Sequence, residues 1–197
     1  MIVAYNRKAI IAAGVTFCLS LTGCSSAPLR LYTLQGPATS GMPVTGPVMS
    51  SAPVIEVRRV ALPNYLDSQD IMVRDGSVLR RSPNGRWAER LSDGITDMVT
   101  ARIGAARPDL VVTEQSLARP ASAHLVVTLS RLDIAQSAPS AMEASWAFVP
   151  TNENEPENVE RATFTSNDAA GSDEQNVAII NSLVSQLSDR IASSLPR

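Results

Sequence analysis

Apolar residues recur with a helical period near the C-terminus of the chain. Five of them follow one another at spacings of 3, 4, 3 and 4: Val177, Ile180, Val184, Leu187 and Ile191. Such spacing places the side chains on one face of an amphipathic helix. Ser172 stands just before this stripe as an N-cap, and Gln175 completes a capping box. The pattern therefore predicts a helix over residues 173–195.

A second apolar stripe predicts a shorter helix in the middle of the chain. Its members are Ile95, Met98, Val99, Ile103 and Ala106. Ser92 is the predicted N-cap, because its hydroxyl can accept a hydrogen bond from a backbone amide of the first turn. Pro108 ends the segment, since proline lacks the amide hydrogen that a helix interior needs.

Alternation of apolar and polar residues predicts strands before and between these helices. The predicted strands cover residues 29–34, 54–62, 71–74, 77–81, 110–113, 123–134, 142–148 and 159–165. Changes of apolar parity indicate bulges near residues 58–59 and 130–131. Asp75 and Gly76 predict a hairpin turn, and residues 82–85 predict another turn. We expect an α+β two-layer sandwich, with a mixed, mostly antiparallel sheet and two amphipathic helices on one face.

The first 24 residues have the features of a bacterial secretory signal. Arg7 and Lys8 are basic, and residues 9–21 form an apolar stretch of 13 residues, too short to span a membrane stably. The Leu-Thr-Gly-Cys sequence that follows resembles the lipobox of bacterial lipoproteins. It predicts cleavage between Gly23 and Cys24, with the lipid, palmitate included, on the Cys24 thiol. An ordinary signal peptide with a chance cysteine is the alternative.

These features divide the chain into three parts. Residues 1–23 are the signal peptide, residues 24–53 are the lipidated N-terminus with a short strand and a linker, and residues 54–197 form a single domain. Residues 36–53 are rich in Pro, Gly, Ser and Thr and carry no charge. As a flexible tether of about twenty residues, this part would reach roughly 25 Å. Ser25, in place of the aspartate that retains such proteins in the inner membrane, favours outer-membrane sorting.

Composition excludes several classes of function. The chain has 17 basic and 19 acidic residues and a net charge of −2, which argues against nucleic-acid binding. Its two cysteines and single histidine are too few for a zinc cage or an iron–sulfur site. Without the signal peptide, the chain has no lysine for a phosphate-binding loop, no free thiol and no serine nucleophile elbow. We expect no cofactor and no enzymatic activity.

A few polar residues remain as candidates for chemistry. His124 alternates with the apolar positions of its strand, so we expect it to face solvent or to lie at a sheet edge. Three aspartates are close in sequence: Asp67, Asp70 and Asp75. They are candidates for a metal site or a glycosidase pair, but a solvated loop is the simpler interpretation. The acidic loop over residues 151–158 could contact a basic partner and contains Glu153, Glu155 and Glu157.

Residues 86–91 have the sequence Arg-Trp-Ala-Glu-Arg-Leu. Packing is one explanation for this segment: Trp87 fills a gap where the chain leaves the sheet, and Arg86 pairs with Glu89. The other explanation is an exposed contact for a partner protein through Arg86 and Trp87, because tryptophan and arginine are frequent at binding hot spots. Both interpretations stay open.

Several of these segments resemble one family. Residues 31–34 are similar to its Tyr-Tyr-Thr-Leu motif, and residues 55–66 to its Ile-x-Val-x-x-Val-x-Leu-Pro-x-Tyr-Leu strand. Residues 86–89 match its Arg-Trp-Ala-Glu motif, although Arg90 stands where the family often has proline. On these motifs, the chain is identified as a member of the ABC-type transport auxiliary lipoprotein components, the PqiC-like lipoproteins.

The resemblance implies a role rather than a reaction. Such lipoproteins lie on the periplasmic side of the outer membrane in Gram-negative bacteria. They accompany an MCE-domain protein and, through it, an ABC permease and ATPase that move lipids between membranes and maintain membrane integrity. Assembly with further copies of the chain stays open. The alternatives are a structural envelope lipoprotein for outer-membrane assembly or tethering, and an envelope hydrolase that uses carboxylates.

Overall fold

The computed structural model describes residues 27–34 and 51–196. Its strands are β1 (Arg30–Tyr32), β2 (Val54–Val57), β3 (Asp70–Asp75), β4 (Val78–Trp87), β5 (Val111–Thr113), β6 (Ala123–Asp133), β7 (Ser140–Pro150) and β8 (Asn158–Ser166). Its helices are α1 (Leu91–Ala106) and α2 (Asp173–Ser194). Neither of these two helices is long and apolar enough to cross a membrane.

The larger sheet has five strands in the order β5-β2-β6-β7-β8. β2 pairs in parallel with β5 and β6, whereas β6, β7 and β8 pair antiparallel. Along β6, Leu125, Val127 and Leu129 are at most 1% exposed, whereas Val126 between them is 40% exposed. One face of this sheet is therefore covered and the other is open to solvent. A register shift between Leu129 and Arg131 confirms the predicted bulge.

The smaller sheet has three strands in the order β1-β4-β3. β3 and β4 form an antiparallel hairpin, and β1 joins β4 in parallel. Gly76 has a φ of +60° in the hairpin turn, a conformation that glycine adopts without steric cost. The predicted turn at Asp75 and Gly76 is confirmed.

The two helices pack against each other and contribute to a single core with the covered face of the five-stranded sheet. α2 carries the predicted capping box, in which Ser172 Oγ accepts a bond from the Gln175 amide and Gln175 Oε1 accepts one from the Ser172 amide. Trp146 of β7 is 3% exposed and donates its indole N–H to Ser194 Oγ at 3.2 Å. The predicted α+β sandwich is confirmed.

Asp133, at the end of β6, joins the two sheets. Its side chain is 5% exposed and accepts hydrogen bonds from Arg74 Nε of β3 at 2.6 Å and from Arg131 Nε at 2.5 Å. Burial raises the pKa of Asp133, but the hydrogen bonds from the two arginines outweigh it and leave the pKa below its ordinary value. The carboxylate is therefore a charged link between the sheets.

Residues 82–85 do not form the predicted turn but continue β4. The segment has the composition of a turn, and Ser82 Oγ accepts local bonds from the Asn84 and Gly85 amides at 3.3 and 2.9 Å. Gly85 also pairs with Arg30 of β1 in the sheet. Tertiary pairing therefore keeps this segment in the sheet against its local preference.

The predicted strand over residues 54–62 is interrupted. β2 ends at Val57, and pairing with β6 resumes at Ala61, opposite Thr128. The interruption coincides with the predicted bulge at residues 58–59. Here the Val60 amide donates to Thr96 Oγ1 of α1 at 3.0 Å instead of to a strand.

Helix α1 does not begin as predicted. Arg90 is its N-cap and makes no side-chain cap bond, and Ser92 lies inside the first turn. The Ser92 hydroxyl donates to the Asp67 carboxylate at 2.6 Å and accepts from Arg59 at 2.8 Å. These tertiary partners take the hydroxyl that would otherwise cap the helix. Ala106, placed on the buried stripe by its spacing, is exposed.

Candidate functional site at the docked N-terminal strand

Strand β1 docks onto the body of the protein close to the N-terminus. Arg30, Leu31 and Tyr32 pair in parallel with Gly85, Arg86 and Trp87 of β4. The Tyr32 carbonyl also accepts a hydrogen bond from the Ala88 amide at 2.8 Å. The folded body therefore includes β1, although the predicted boundary at residue 54 leaves it out. The predicted strand over residues 29–34 is present as β1, and it lies between the predicted lipid site and the predicted tether over residues 36–53.

Glu174, in the first turn of α2, binds the two ends of β1. Its Oε1 accepts a hydrogen bond from Arg30 Nη1 at 2.7 Å and another from Tyr32 Oη at 2.8 Å. The pKa of Glu174 falls to about 2, first through a hydrogen bond to its own backbone and then through the Tyr32 and Ser172 hydroxyls. The hydrogen bond between Tyr32 and Glu174 also raises the pKa of Tyr32. The positive end of the helix dipole also favours a carboxylate in this turn.

The neighbouring Asp173 fixes the start of α2 against β4. Its Oδ2 accepts a hydrogen bond from Ser82 Oγ at 2.8 Å. A Cβ atom at Gly85 would collide with the Asp173 carboxylate, so glycine allows the helix to approach the strand this closely. β1, β4 and the first turn of α2 thus form one site, which we call the N-terminal clamp: Arg30, Tyr32, Ser82, Gly85, Asp173 and Glu174.

The two predicted partner contacts, Arg86 and Trp87, lie beside the clamp. Trp87 is 3% exposed and belongs to the core, so its packing interpretation agrees with the structure and its side chain is not available to a partner here. Arg86 is bound to Asp70 at 3.1 Å and donates to the carbonyls of Ser82 and Gly85. The predicted pairing of Arg86 with Glu89 is wrong, because the Arg86 side chain binds Asp70 of the neighbouring strand β3.

The three aspartates considered for chemistry each bind an arginine. Asp67 lies 3.3 Å from Arg90, Asp70 lies 3.1 Å from Arg86, and Asp75 lies 2.8 Å from Arg80. Their charges therefore support local structure in the loop and hairpin around α1. Within residues 27–34 and 51–196, no group of three or more His, Cys, Asp or Glu side chains has the arrangement to hold a metal ion.

His124 lies on the open face of the five-stranded sheet. Its side chain is 28% exposed, and its Nδ1 is 4.0 Å from Glu56 Oε2. β6 is an interior strand, so of the two expectations for His124 the structure agrees with the solvent-facing one and not with the sheet edge. The acidic loop is solvent-exposed along residues 151–157, including Glu153, Glu155 and Glu157, as the sequence predicts.

A cluster of acids around α1 is a feature that the sequence analysis missed. Burial raises the pKa of Glu89, with added repulsion from Asp97 and Asp93. Burial and a hydrogen bond with Asp97 raise the pKa of Glu114. Glu89 lies just before the helix, and the four-residue spacing of Asp93 and Asp97 within it is a sequence signal that could have indicated the cluster.

The clamp also could not be found from periodicity, because Arg30 and Glu174 are 144 residues apart.

Comparison with known proteins identifies the family of this chain. The sequence matches, over residues 32–192, the family described as ABC-type transport auxiliary lipoprotein component. The chain belongs to this family. The part of this auxiliary lipoprotein that matches begins at Tyr32 in β1 and ends within α2, so it contains the Tyr32–Glu174 hydrogen bond but not Arg30.

Two solved structures share the fold of the auxiliary lipoprotein. One, described only as an uncharacterized protein, superposes with a TM-score of 0.71 at 16% identity and covers 86% of this chain and 100% of its own. The other, a Xanthomonas campestris protein described with the family name DUF330, has a TM-score of 0.56 at 15% identity and covers 85% and 91%. At such identities the likeness concerns the fold alone. No curated protein matches the auxiliary lipoprotein.

The predicted lipidation site of the auxiliary lipoprotein lies outside the described residues. This applies to Gly23, Cys24 and Ser25, to the signal peptide over residues 1–23, and to the linker between residues 35 and 50. Membership of the family associates the chain with the bacterial cell envelope and with transport by an ABC system.

Proposed function

We propose that this protein is held by a lipid on Cys24 at the periplasmic face of the outer membrane and acts there as a non-catalytic subunit of an ABC/MCE-type lipid transport system. Its partner would be the MCE-domain protein and, through it, the permease and the ATPase. Family membership supports the transport role, and the lipobox and Ser25 support the location.

The observation that carries the proposal is the position of β1. Arg30 follows Cys24 by six residues, and an extended chain of six residues spans at most about 20 Å. Because β1 is part of the fold, a lipid on Cys24 keeps the body within that distance of the membrane surface. This is shorter than the reach expected from the sequence, and it suits a subunit fixed beside one membrane that receives a partner from across the periplasm.

The acids of the site support a binding role rather than catalysis. Glu174 and Asp173 are occupied by β1 and β4, and the three candidate aspartates are bound to arginines. Catalysis by these particular acids would need them free and within hydrogen-bond reach of a substrate.

Transport of radiolabelled phospholipid between the two membranes tests the proposal. A strain without the gene should exchange lipid more slowly and admit more dye through its outer membrane. Wild-type chain should restore both properties, the Cys24→Ala variant should not, and Cys18→Ala is the matched control. Normal lipid exchange together with defective outer-membrane assembly would favour the structural-lipoprotein alternative. Hydrolytic activity lost in an Asp67→Asn/Asp70→Asn variant would favour the enzyme.

A further inference from the structure

An apolar cavity of about 430 Å³ lies beyond the C-terminal end of α2. Its apolar wall comes from the starts of β2 and β5, the end of β7 and the residue after α2: Ile55, Leu110, Phe148, Pro150 and Leu195. Its mouth is bordered by Glu155 of the acidic loop. Apolar walls with a few polar groups at the rim are typical of binding sites.

Hydrogen bonds hold the walls of the cavity in place. Arg107 donates to the carbonyls of Leu195 and Pro196 at 3.2 and 2.8 Å and binds Asp109 through both carboxylate oxygens. Thr151 Oγ1 donates to the Ala121 carbonyl at 2.8 Å, which fixes the base of the acidic loop. The cavity is therefore formed before any ligand arrives, which lowers the entropic cost of binding.

The charge at the mouth is negative. Asp109 is balanced by Arg107, whose hydrogen bond lowers the Asp109 pKa. Glu155 accepts a hydrogen bond from the Asn152 amide group at 2.9 Å, and an amide donor does not cancel its charge. The loop over residues 151–158 carries three glutamates and no Lys or Arg. A negative mouth attracts basic groups and repels phosphate.

The cavity and the N-terminal clamp are at opposite ends of α2. Glu174 in the first turn of the helix binds β1, and Leu195 after the last turn lines the cavity. The helix has 22 residues and is therefore about 33 Å long. The cavity thus opens far from the strand that adjoins the proposed anchor.

We propose that this cavity docks a segment of a partner protein in which an apolar side chain is flanked by basic residues. The apolar side chain enters between Phe148 and Leu195, and the basic residues meet Glu155. The negative mouth disfavours the anionic headgroup of a phospholipid, so a protein segment fits better than a lipid. The inference rests on the proposed function only in that the partner would be the periplasmic subunit of the transporter.

Peptide binding to the full lipidated chain in phospholipid nanodiscs tests the docking site. The probe is a fluorescent peptide with leucine and phenylalanine between lysines, followed by anisotropy. The same peptide with alanine in place of both apolar residues, or with glutamate in place of the lysines, should bind at least tenfold more weakly. Both comparisons change only the ligand, so they do not depend on the folding of a variant.

The Glu155→Lys variant completes the test. It should weaken binding of the lysine peptide about tenfold and strengthen binding of the glutamate peptide. Glu143→Lys, on the open face of the sheet, is the matched control and should leave both affinities unchanged. Equal binding of all peptides, no binding, or displacement of the lysine peptide by soluble phosphatidylglycerol would each overturn the proposal. Normal peptide binding with unaffected lipid exchange in the deletion strain would instead refute the transport role alone.

Discussion

Glu174 connects two distant parts of the chain through a single carboxylate oxygen. Arg30 and Tyr32 both donate to Oε1 at 2.7 and 2.8 Å, and the side chains of Arg30 and Glu174 are 64% and 55% exposed. Solvent screens an exposed ion pair, so the charge alone contributes little to stability. The clamp depends on the combination of this pair with the Tyr32 hydroxyl and the backbone pairing of β1.

Removing the charge of Glu174 should make stability less dependent on pH. The pKa of Glu174 is about 2 in the fold and 4.5 ordinarily, so its stabilising effect is present above about pH 4.5 and is lost as pH falls toward 2. We expect Glu174→Gln to lower the Tm at pH 7, and the gap to wild type to close over this range. Calorimetry from pH 7 to pH 2 measures the difference in Tm between wild type and variant, with Glu153→Gln as a control. A gap that does not change with pH would contradict the role of the charge.

A methyl group at Gly85 should strain the clamp. The added Cβ of Gly85→Ala would meet the Asp173 carboxylate, which can move away only by giving up its bond to Ser82. We expect a loss of about 1–3 kcal/mol in the free energy of unfolding. Denaturant unfolding of the single variants and of Gly85→Ala/Asp173→Ala checks the cause. The double variant should lose less than the sum of the two, and additive losses would be evidence against a direct contact.

Among the elements, α2 links the clamp to the core. Leu187 is fully buried in the middle of its apolar stripe, and Gln186 beside it is exposed. Leu187→Ala should reduce the free energy of unfolding by about 2–5 kcal/mol because it leaves a cavity, and Leu187→Asp should prevent folding. Gln186→Ala is the control in the same denaturant experiment. Unchanged melting of Leu187→Asp would mean that α2 does not pack on the sheet.

The sequence predicts α2 well because several local signals coincide there. The apolar stripe, the capping box of Ser172 and Gln175, and acids in the first turn all indicate the same element. The end of β4 is different, since residues 82–85 have the composition of a turn and become a strand through pairing with β1. The cap of α1 also depends on tertiary contacts, because Asp67 and Arg59 bind the Ser92 hydroxyl.

The candidate site could be predicted only in part for the same reason. The sequence indicates Arg86 and Trp87, which lie on the strand that receives β1, but it does not assign their contacts. Arg86 binds Asp70 across the hairpin, and the register that brings them together follows from an irregularity in β3 and β4. Glu174 has no local pattern that points to Arg30, because the contact depends on how the sheet and α2 are assembled.

At the scale of the whole molecule, α2 separates two ends with different surroundings. One end carries β1 and the proposed membrane anchor, and the other carries the acidic loop and the apolar cavity. The chain between Leu34 and Ser51 has 16 residues. Extended at about 3.5 Å per residue, it would span roughly 55 Å, which exceeds the length of α2 and is enough to pass from one end to the other.

The location of the protein should depend on two adjacent residues. Cys24→Ala should abolish labelling with a fatty-acid probe, whereas Cys18→Ala should not. Ser25→Asp should move the protein from outer-membrane to inner-membrane fractions on a density gradient, whereas Ser25→Ala should leave it in place. Labelling that survives Cys24→Ala, or recovery of the wild type entirely with inner membranes, would refute the proposed anchor or its sorting.

The short pairing of β1 has a mechanical consequence. A force that pulls the body away from a lipid on Cys24 acts first on three paired residues and on the Glu174 contact. Their release would leave 29 residues between Cys24 and Val54, so the chain between the lipid and the body would lengthen from about 20 Å to about 100 Å. The five-stranded sheet has much longer strand pairing and would stay intact while this happens. With the proposed anchor at Cys24, β1 would be a weak link that yields before the core when two membranes move apart.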